Sequence, residues 1–178
     1  MMERLTLAPP SLEFEAACLA CAADFQRAGE TFLGGAPADY RAFVQQAERS
    51  RQGDVADGKV PQNDYFLLRD GATILGLSGL RHSLNATLRD IGGHIGYRIR
   101  PSERRKGYGT RLLALVLVEA RQLGLDEVLL TCDSDNIGSR RIIERNGGQL
   151  ASEGPAHNGV LVARYWIHLG ADGTNTYK

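Results

Sequence analysis

The chain has 178 residues, and a domain usually contains about 100–200, so its length indicates a single domain. Its hydrophobic content of 43% is enough for a buried core, and its 21 basic and 21 acidic residues cancel. A chain without net charge has no general positive field, which argues against nucleic acids and membrane surfaces as partners. We find no apolar run near the ~20 residues of a membrane span and no apolar secretory core at the start, so we expect a cytoplasmic protein.

The three cysteines are Cys18, Cys21 and Cys132, too few for a disulfide framework. Cys18 and Cys21 have the C-x-x-C spacing of zinc and redox sites. A zinc site needs two further ligands nearby, and a redox motif opens a helix after a strand, whereas this pair falls inside an Ala-rich helical segment. We therefore predict two small buried side chains and no metal site.

The first third of the chain is predicted to be mostly helical. A short strand over residues 3–7 precedes a helix over residues 12–28. The apolar face of this helix is predicted from the spacing of Leu12, Ala16, Leu19 and Ala23. A second helix is expected from Pro37 to about Arg51, because proline suits the first turn of a helix. Residues 53–61 are polar and rich in glycine, which is typical of a loop, and their length suits a binding loop.

The rest of the chain is predicted to consist mainly of strands. Asp70-Gly71, between two apolar segments, is a strong signal for a hairpin turn. The predicted elements are strands over residues 64–69, 73–80 and 94–99, a helix ending near Leu123, a strand over 127–132, a helix from Asp135 or Asn136 to Asn146, and strands over 148–151 and 160–168. Residues 1–170 are predicted to form the domain, and residues 171–178 a polar tail.

The segment between the strand over 94–99 and the apolar helix contains the pattern Arg104-x-x-Gly107-x-Gly109. The glycines allow a ligand close to the backbone, and free amides at a helix N-terminus favour an anion. Arg104, Arg105 and Lys106 add positive charge at the same place. A phosphate-bearing ligand follows from these residues alone.

Two common nucleotide-binding motifs are excluded by single positions. A P-loop requires Lys before its final Ser or Thr, but Thr110 directly follows Gly109. A dinucleotide fingerprint requires a third glycine where this chain has Leu112. The phosphate ligand is therefore of another class.

The pattern from Arg104 to Gly109 resembles the pyrophosphate-binding loop of the GNAT superfamily of acyl-CoA-dependent N-acetyltransferases. Ile99-Arg100-Pro101 is similar to that family's strand exit, and Asn136-x-x-Ser139 with Asn146-Gly147-Gly148 to its next helix. The resemblance implies an α+β fold, with a mixed, mostly antiparallel central sheet of about six to seven strands and about four flanking helices. It implies acetyl-CoA as co-substrate and no metal. The residues expected to bind acetyl-CoA are Ile99, Arg104, Arg105, Lys106, Gly107, Tyr108, Gly109, Thr110, Asn136 and Ser139.

The resemblance also implies a general base at His94, where many relatives carry a glutamate on the fourth strand. A neutral imidazole can accept a proton near pH 7, which suits deprotonation of an amine. The alternative is a histidine hydrogen-bonded within a sheet. The donor to the developing oxyanion is expected to be a backbone amide near Tyr97 or Arg98.

The family's usual acid, a tyrosine, falls on Ile143, which cannot donate a proton. Ser139, Tyr108, Cys132 or a water could replace it, or the thiolate could leave unprotonated, since a thiol has a pKa of about 8.5. Among these side chains we assign Ser139 to the catalytic set.

The acceptor is expected to be a small-molecule amine bound by His82, Asn85, Asp64 and Asp133, although each of these could instead be a solvated polar side chain. The segments 63–67, 80–85, 92–97 and 130–136 resemble a bacterial subgroup that includes kasugamycin 2′-N-acetyltransferases, which implies an aminoglycoside acceptor. The alternatives are acetylation of a protein N-terminus or lysine, which predicts an open groove, and a CoA-sensing module without turnover. We consider a homodimer paired through the strand over 160–168.

Overall fold

The structure, a computed structural model, describes residues 3–32 and 39–170. Seven strands and five α-helices lie in these residues, with 3₁₀ turns at Leu12–Phe14 and Pro101–Glu103. The strands are β1 (Leu5–Ala8), β2 (Gln62–Arg69), β3 (Thr73–Arg81), β4 (Ile95–Ile99), β5 (Glu127–Asp133), β6 (Gln149–Pro155) and β7 (Leu161–His168). The helices are α1 (Glu15–Arg27), α2 (Tyr40–Arg51), α3 (Ala86–Asp90), α4 (Tyr108–Gln122) and α5 (Ile137–Arg145).

All strand pairs are antiparallel, and they form two sheets with the orders β1-β2-β3-β4 and β5-β7-β6. The predicted fold class is confirmed, with the central sheet divided between β4 and β5. The predicted hairpin turn is confirmed as well, since Asp70 and Gly71 both have positive φ angles, 52° and 74°. These angles are those of a type I′ turn, whose twist matches that of the flanking strands.

The four-stranded sheet buries apolar side chains on both faces, in two separate clusters. Leu67 and Leu75 face α4 and join a core that extends to the three-stranded sheet. Phe66 and Ile74 point to the opposite face, where α1 and α2 cover them. Because neighbouring residues of a strand point to opposite faces, each side chain can be assigned to one of the two sides.

The predicted apolar face of α1 is wrong. Leu12 and Leu19 are 46% and 44% exposed, whereas Cys18, Cys21 and Phe25 are fully buried. The segment is so rich in alanine that several faces satisfy the spacing, and the larger Phe25 selects the face that packs. The expectation that both cysteines are small buried side chains is confirmed, and burial raises the pKa of Cys18 to about 11 and that of Cys21 to about 12.

Three further details differ from the sequence predictions. The strand over 160–168 is not an edge, because β7 lies between β5 and β6, so a dimer cannot pair through it. Helix α3 was not predicted, since it has only five residues, with Asn85 as its N-cap. Pro37 and the break at residues 34–37 lie outside the described residues, and α2 begins at Tyr40 after its N-cap Asp39. No described helix is long and apolar enough to span a membrane.

Candidate functional site

The two sheets face each other across a gap between β4 and β5. The Arg81 amide donates to the His94 carbonyl and the Arg100 amide donates to the Leu75 carbonyl, which fixes the direction of the β4 backbone groups. Even-numbered residues of β4 therefore bond to β3, and the N–H and C=O of Tyr97 point into the gap. No strand of the described residues pairs with this edge. An open strand edge inside a fold is suited to an extended, amide-containing ligand.

His94 joins the sheets at one end of this gap. Its backbone N–H donates to the Leu129 carbonyl at 2.7 Å, and its Nδ1 accepts the Leu129 N–H at 2.9 Å. The ring is buried beside Trp166, and burial lowers the pKa of His94 to about 4. Since Nδ1 already accepts a hydrogen bond, the neutral ring carries its proton on Nε2 and has no free basic nitrogen. This geometry argues against His94 as the general base.

The N-terminus of α4 lies beside the other end of β4. Gly107 caps the helix with a φ of 85°, a left-handed conformation that glycine adopts without strain, and no side chain accepts from the helix N-terminus. The first intrahelical bond is donated by Arg111, so the amides of Tyr108, Gly109 and Thr110 have no intrahelical acceptor. Free amides at the positive end of a helix dipole form a site for an anion.

The basic side chains near this N-terminus are partly engaged within the protein. The Arg104 guanidinium donates to both carboxylate oxygens of Glu30 at 2.6 Å and to the Ile99 carbonyl at 3.1 Å. This bond to Arg104 also lowers the pKa of Glu30. Lys106 pairs with Glu103 at 2.9 Å, and Arg105 is exposed with a positive φ of 61°. The anion site is therefore formed mainly by backbone amides, with the cations at its rim.

Three of the residues assigned to this loop have structural roles as well. The side chain of Tyr108 turns away and donates to Glu3 at 2.6 Å. A Cβ at Gly109 would lie 2.5 Å from Cδ1 of Ile142, so this glycine also allows α4 and α5 to pack closely. The Thr110 carbonyl accepts from Asn146 at 3.2 Å, which ties the start of α4 to the end of α5.

The two residues assigned to the start of α5 divide their roles. The Asn136 side chain caps the helix by accepting the Ser139 N–H at 3.0 Å. The Ser139 hydroxyl lies 2.8 Å from the Tyr97 phenol oxygen, across the gap from β4 to α5. Ile143, at the position of the family's tyrosine, is completely buried in the core. Ser139 is thus the hydroxyl of α5 that reaches the gap.

A cavity of about 980 Å³ opens on the α1/α2 side of the four-stranded sheet. Its walls come from α2, the loop between α2 and β2, the end of β3 and α3. Asp64 and Asn85 line it as expected, together with Arg81. Burial raises the pKa of Asp64, whose Oδ1 accepts from Gln62 at 2.6 Å. Asn85 donates to the carbonyl of Gly58 in the loop at 2.9 Å.

The other two acceptor candidates lie elsewhere. His82 binds the Asn63 side chain at 2.9 Å, and Asn63 points to the opposite face of β2 from Asp64. His82 therefore does not line this cavity, and its contact with the acceptor stays a prediction. Asp133 is exposed at the end of β5, and the cavity does not include it. No cluster of three or more potential metal ligands occurs in residues 3–32 and 39–170.

Comparison with known proteins identifies the family. The family model for the GNAT acetyltransferase domain matches residues 4–149. The chain belongs to the GNAT acetyltransferases. It is an acetyl-CoA-dependent N-acetyltransferase, and the CoA-sensing alternative is set aside. No curated protein matches the chain in sequence.

Solved structures of other GNAT proteins share the fold at low sequence identity. Microcin C7 self-immunity acetyltransferase MccE, in complex with acetyl-CoA and AMP, has a TM-score of 0.66 and 18% identity over 92% of each chain. Mycobacterium smegmatis RimJ, in complex with CoA-disulfide, has a TM-score of 0.68 and 16% identity over 92% of this chain and 81% of that one. The Salmonella typhimurium acetyltransferase that modifies the N-terminal serine of ribosomal protein L7/L12 has a TM-score of 0.65 and 17% identity, covering 92% and 94%.

The residues around the gap fit acetyl-CoA as co-substrate of a GNAT enzyme. The uncapped amides of Tyr108, Gly109 and Thr110 suit its pyrophosphate, and the open edge of β4 suits the amides of its pantetheine arm. The Ile99 carbonyl already accepts from Arg104, so the Tyr97 carbonyl is the better placed acceptor for an amide of the arm.

Sequence reasoning missed the side chains of Tyr97 and Arg81. Only the backbone amide of Tyr97 is assigned from the sequence, although the alternation of β4 predicts its side chain on the same face as those of Ile95 and Ile99. Arg81 donates to the carbonyls of Gly92 and Gly93 from one nitrogen, at 3.0 and 2.9 Å, and thereby holds the turn before β4. A terminal strand arginine gives no local signal for such a contact.

Proposed function

We propose that this GNAT enzyme acetylates a primary amine of a small molecule, and that an aminoglycoside such as kasugamycin is the first acceptor to test. The observation that carries the proposal is the cavity on the α1/α2 side, whose walls include α2 and the loop over residues 53–60. A protein substrate would need a long groove, whereas a cavity with walls from two helices, one loop and two strand ends suits a ligand of limited size.

Asp64 is the group that we propose for binding the acceptor amine. Its partner residues in the sheet are Gly79 on β3 and, beyond it, Gly96 on β4. These three residues share one face, and a Cβ at Gly96 would meet nothing within 4 Å, so open space lies above β4. A carboxylate two strand spacings, about 10 Å, from the gap can pair with one ammonium group of an acceptor that has several, while another amine of the same acceptor lies over Gly96 and reacts.

Asp64 also replaces His94 as our candidate for the group that receives the amine proton. Burial raises the pKa of its carboxyl, which makes it a stronger base than an exposed carboxylate. We propose that the proton reaches Asp64 through a chain of waters, because about 10 Å across two strands is more than one bridging water can span. When bound, acetyl-CoA supplies the acetyl group as an activated thioester. The Tyr97 N–H, which points into the gap, is the proposed donor to the acetyl oxygen.

A second candidate acceptor is the N-terminus of a peptide. It is supported by one structural neighbour, the Salmonella typhimurium acetyltransferase that modifies the N-terminal serine of ribosomal protein L7/L12. At 17% identity this likeness concerns the fold, so the cavity carries more weight.

The test is thiol release from acetyl-CoA with three sets of acceptors: aminoglycosides including kasugamycin, other small amines, and short peptides with free N-termini. We expect turnover with a small amine, and a loss of about 100-fold in kcat/KM for Asp64→Asn, the usual effect of removing a proton acceptor. Asp57→Asn, on the same loop but outside the lining of the cavity, is the matched control and should retain activity. Turnover confined to the peptides would overturn the small-molecule proposal.

A further inference from the structure

Tyr97 and Ser139 form a hydroxyl pair that links the two halves of the molecule. Tyr97 belongs to the open edge of β4, and Ser139 to the first turn of α5. Their oxygens are 2.8 Å apart, and the phenol also lies 3.5 Å from the Ser139 carbonyl. The same residue, Tyr97, directs its backbone N–H into the gap, so the pair lies next to the place where the acetyl group must be held.

The direction of the hydrogen bond follows from the acidity of the two groups. A phenol is a stronger acid than an aliphatic hydroxyl and is therefore the better donor. Burial raises the pKa of Tyr97 to about 12, so the phenol stays protonated throughout the working range of the enzyme. With Tyr97 as the donor, the Ser139 oxygen accepts, and the Ser139 proton can point into the gap or to the neighbouring thiol of Cys132.

We propose that Tyr97 is a positioning residue, which holds the Ser139 hydroxyl so that its proton points at the sulfur of CoA. This inference rests on the acetyl transfer proposed above and on the sequence-based assignment of Ser139 to the catalytic set. Ile143 cannot serve, because its side chain has no polar atom and is completely buried. The side chain of Tyr97 thus supplies from β4 a phenol that the chain lacks on α5.

The transfer step balances with these residues. The amine nitrogen forms a bond to the acetyl carbon, and the bond between that carbon and sulfur breaks with its electron pair staying on sulfur. The proton lost by the amine goes through water to the carboxylate of Asp64. The sulfur anion accepts a hydrogen bond from Ser139, whose oxygen accepts one from Tyr97. Each partner thereby spreads the charge that develops on the leaving group.

The inference can be tested without any acetyl transfer, by measuring how strongly the product CoA binds at different pH values. A free thiol has a pKa of about 8.5, and a hydrogen bond to the thiolate lowers that pKa in the complex. The affinity for CoA should therefore rise between pH 7 and pH 9, by roughly threefold to tenfold for a shift of about one pKa unit. Desulfo-CoA has no thiol, so its affinity corrects for all other titrating groups.

In the wild type, the affinity for CoA should rise more than that for desulfo-CoA between pH 7 and pH 9, and we call this difference the excess rise. It should disappear in Tyr97→Phe and in Ser139→Ala, while the affinity of each variant for desulfo-CoA stays within about twofold of the wild type. Tyr65→Phe is the matched control, because Tyr65 is another buried strand tyrosine whose phenol bonds to Glu119, away from the gap. An unchanged excess rise in Tyr97→Phe would overturn the inference. A loss of affinity for both CoA and desulfo-CoA would overturn the inference as well. Such a loss would show that the Tyr97 side chain supports binding of the whole ligand and has no specific effect on the thiol.

Kinetics provide a second measurement once an acceptor is known. Tyr97→Phe should lower kcat roughly tenfold with little change in KM, less than the ~100-fold expected for removing a proton donor outright. In a Ser139→Ala background, the same change should have no further effect, because the two residues act as one unit. Additive losses would overturn the inference. Absence of turnover in the wild type would instead contradict the proposed acceptor. The measurement of CoA binding would still test the inference, because it requires no acceptor.

Discussion

His94 holds β4 against β5 with both its backbone and its ring, and this role predicts a specific pH dependence. The pKa is near 6.5 in the unfolded chain and falls to about 4 in the folded one. Between these two pH values the unfolded state binds more protons than the folded state. The contribution of His94 to the free energy of unfolding is therefore fully present above pH 6.5 and is lost as the pH falls toward 4. Calorimetry or chemical unfolding between pH 7 and pH 4 should show this loss, which for a buried histidine is on the order of 3 kcal/mol.

The control is His94→Asn, whose side-chain oxygen can accept the Leu129 N–H in place of Nδ1 but does not titrate in this range. The variant should lose less stability than the wild type on acidification. The difference between the two losses gives the contribution of His94, because the carboxylates titrate in both proteins. Because we assign His94 a structural role, the variant should also keep most of its turnover at pH 7. A fall of more than about 100-fold with the fold intact would restore His94 as the base.

At this scale the sequence distinguishes residue types better than residue roles. A histidine at the base position of a GNAT strand suggested chemistry, yet its environment depends on Leu129, which is 35 residues away. Local alternation places its side chain on one face but cannot reveal which atom its nitrogen meets. The role of the glycines at the N-terminus of α4 could be predicted, because the backbone conformation that requires glycine is a local property of the chain.

The turn into β4 depends on Gly93, where the chain approaches β5 most closely. Its φ is 61°, and a Cβ at this position would overlap the Leu129 carbonyl oxygen. Gly93→Ala should therefore destabilise the protein by about 2–4 kcal/mol, since a strained φ adds to a clash with backbone. Thermal unfolding measures this loss.

Gly96→Ala is the matched control, three residues further along, where nothing lies within 4 Å of an added Cβ and φ is not positive. Its melting temperature should stay close to that of the wild type. Equal destabilisation by the two variants would show that loss of a glycine, and not the contact with β5, causes the effect.

Most elements could be predicted from periodicity and capping, whereas their faces and neighbours could not. The strand over 160–168 was predicted with nearly correct bounds, yet its position inside the sheet depends on β5 and β6. For α1 the apolar face was misassigned, because alanines satisfy any spacing and a large residue, Phe25, decides the packing. Long-range pairing is the part that local patterns leave open. If the proposed homodimer forms by strand pairing within the three-stranded sheet, β6 is its remaining outer edge.

The two sheets of the described residues have edge strands of different kinds, and the difference between β4 and β6 predicts where acetyl-CoA acts. β4 faces the gap between the sheets, and β6 is the outer edge of the three-stranded sheet. Backbone amides at an unpaired edge exchange with solvent readily unless a ligand covers them. With acetyl-CoA at about 100 times its Kd, the ligand stabilises the bound state by about 2.7 kcal/mol, so amide exchange that requires its release should slow by up to about 100-fold.

Hydrogen exchange followed by mass spectrometry should therefore show protection in β4 (Ile95–Ile99) and at the start of α4 when acetyl-CoA is added. β6 (Gln149–Pro155) serves as the internal control, since it is an exposed edge that the ligand should not touch. Protection of β6 with no change in β4 would place the co-substrate outside the gap and would remove the basis for assigning Tyr97 and Ser139 to the leaving sulfur. The same measurement on Gly107→Ala tests the N-terminus of α4, because an added Cβ at a φ of 85° disturbs the free amides there. If acetyl-CoA protects β4 less in this variant than in the wild type, the same ligand contacts both β4 and the start of α4.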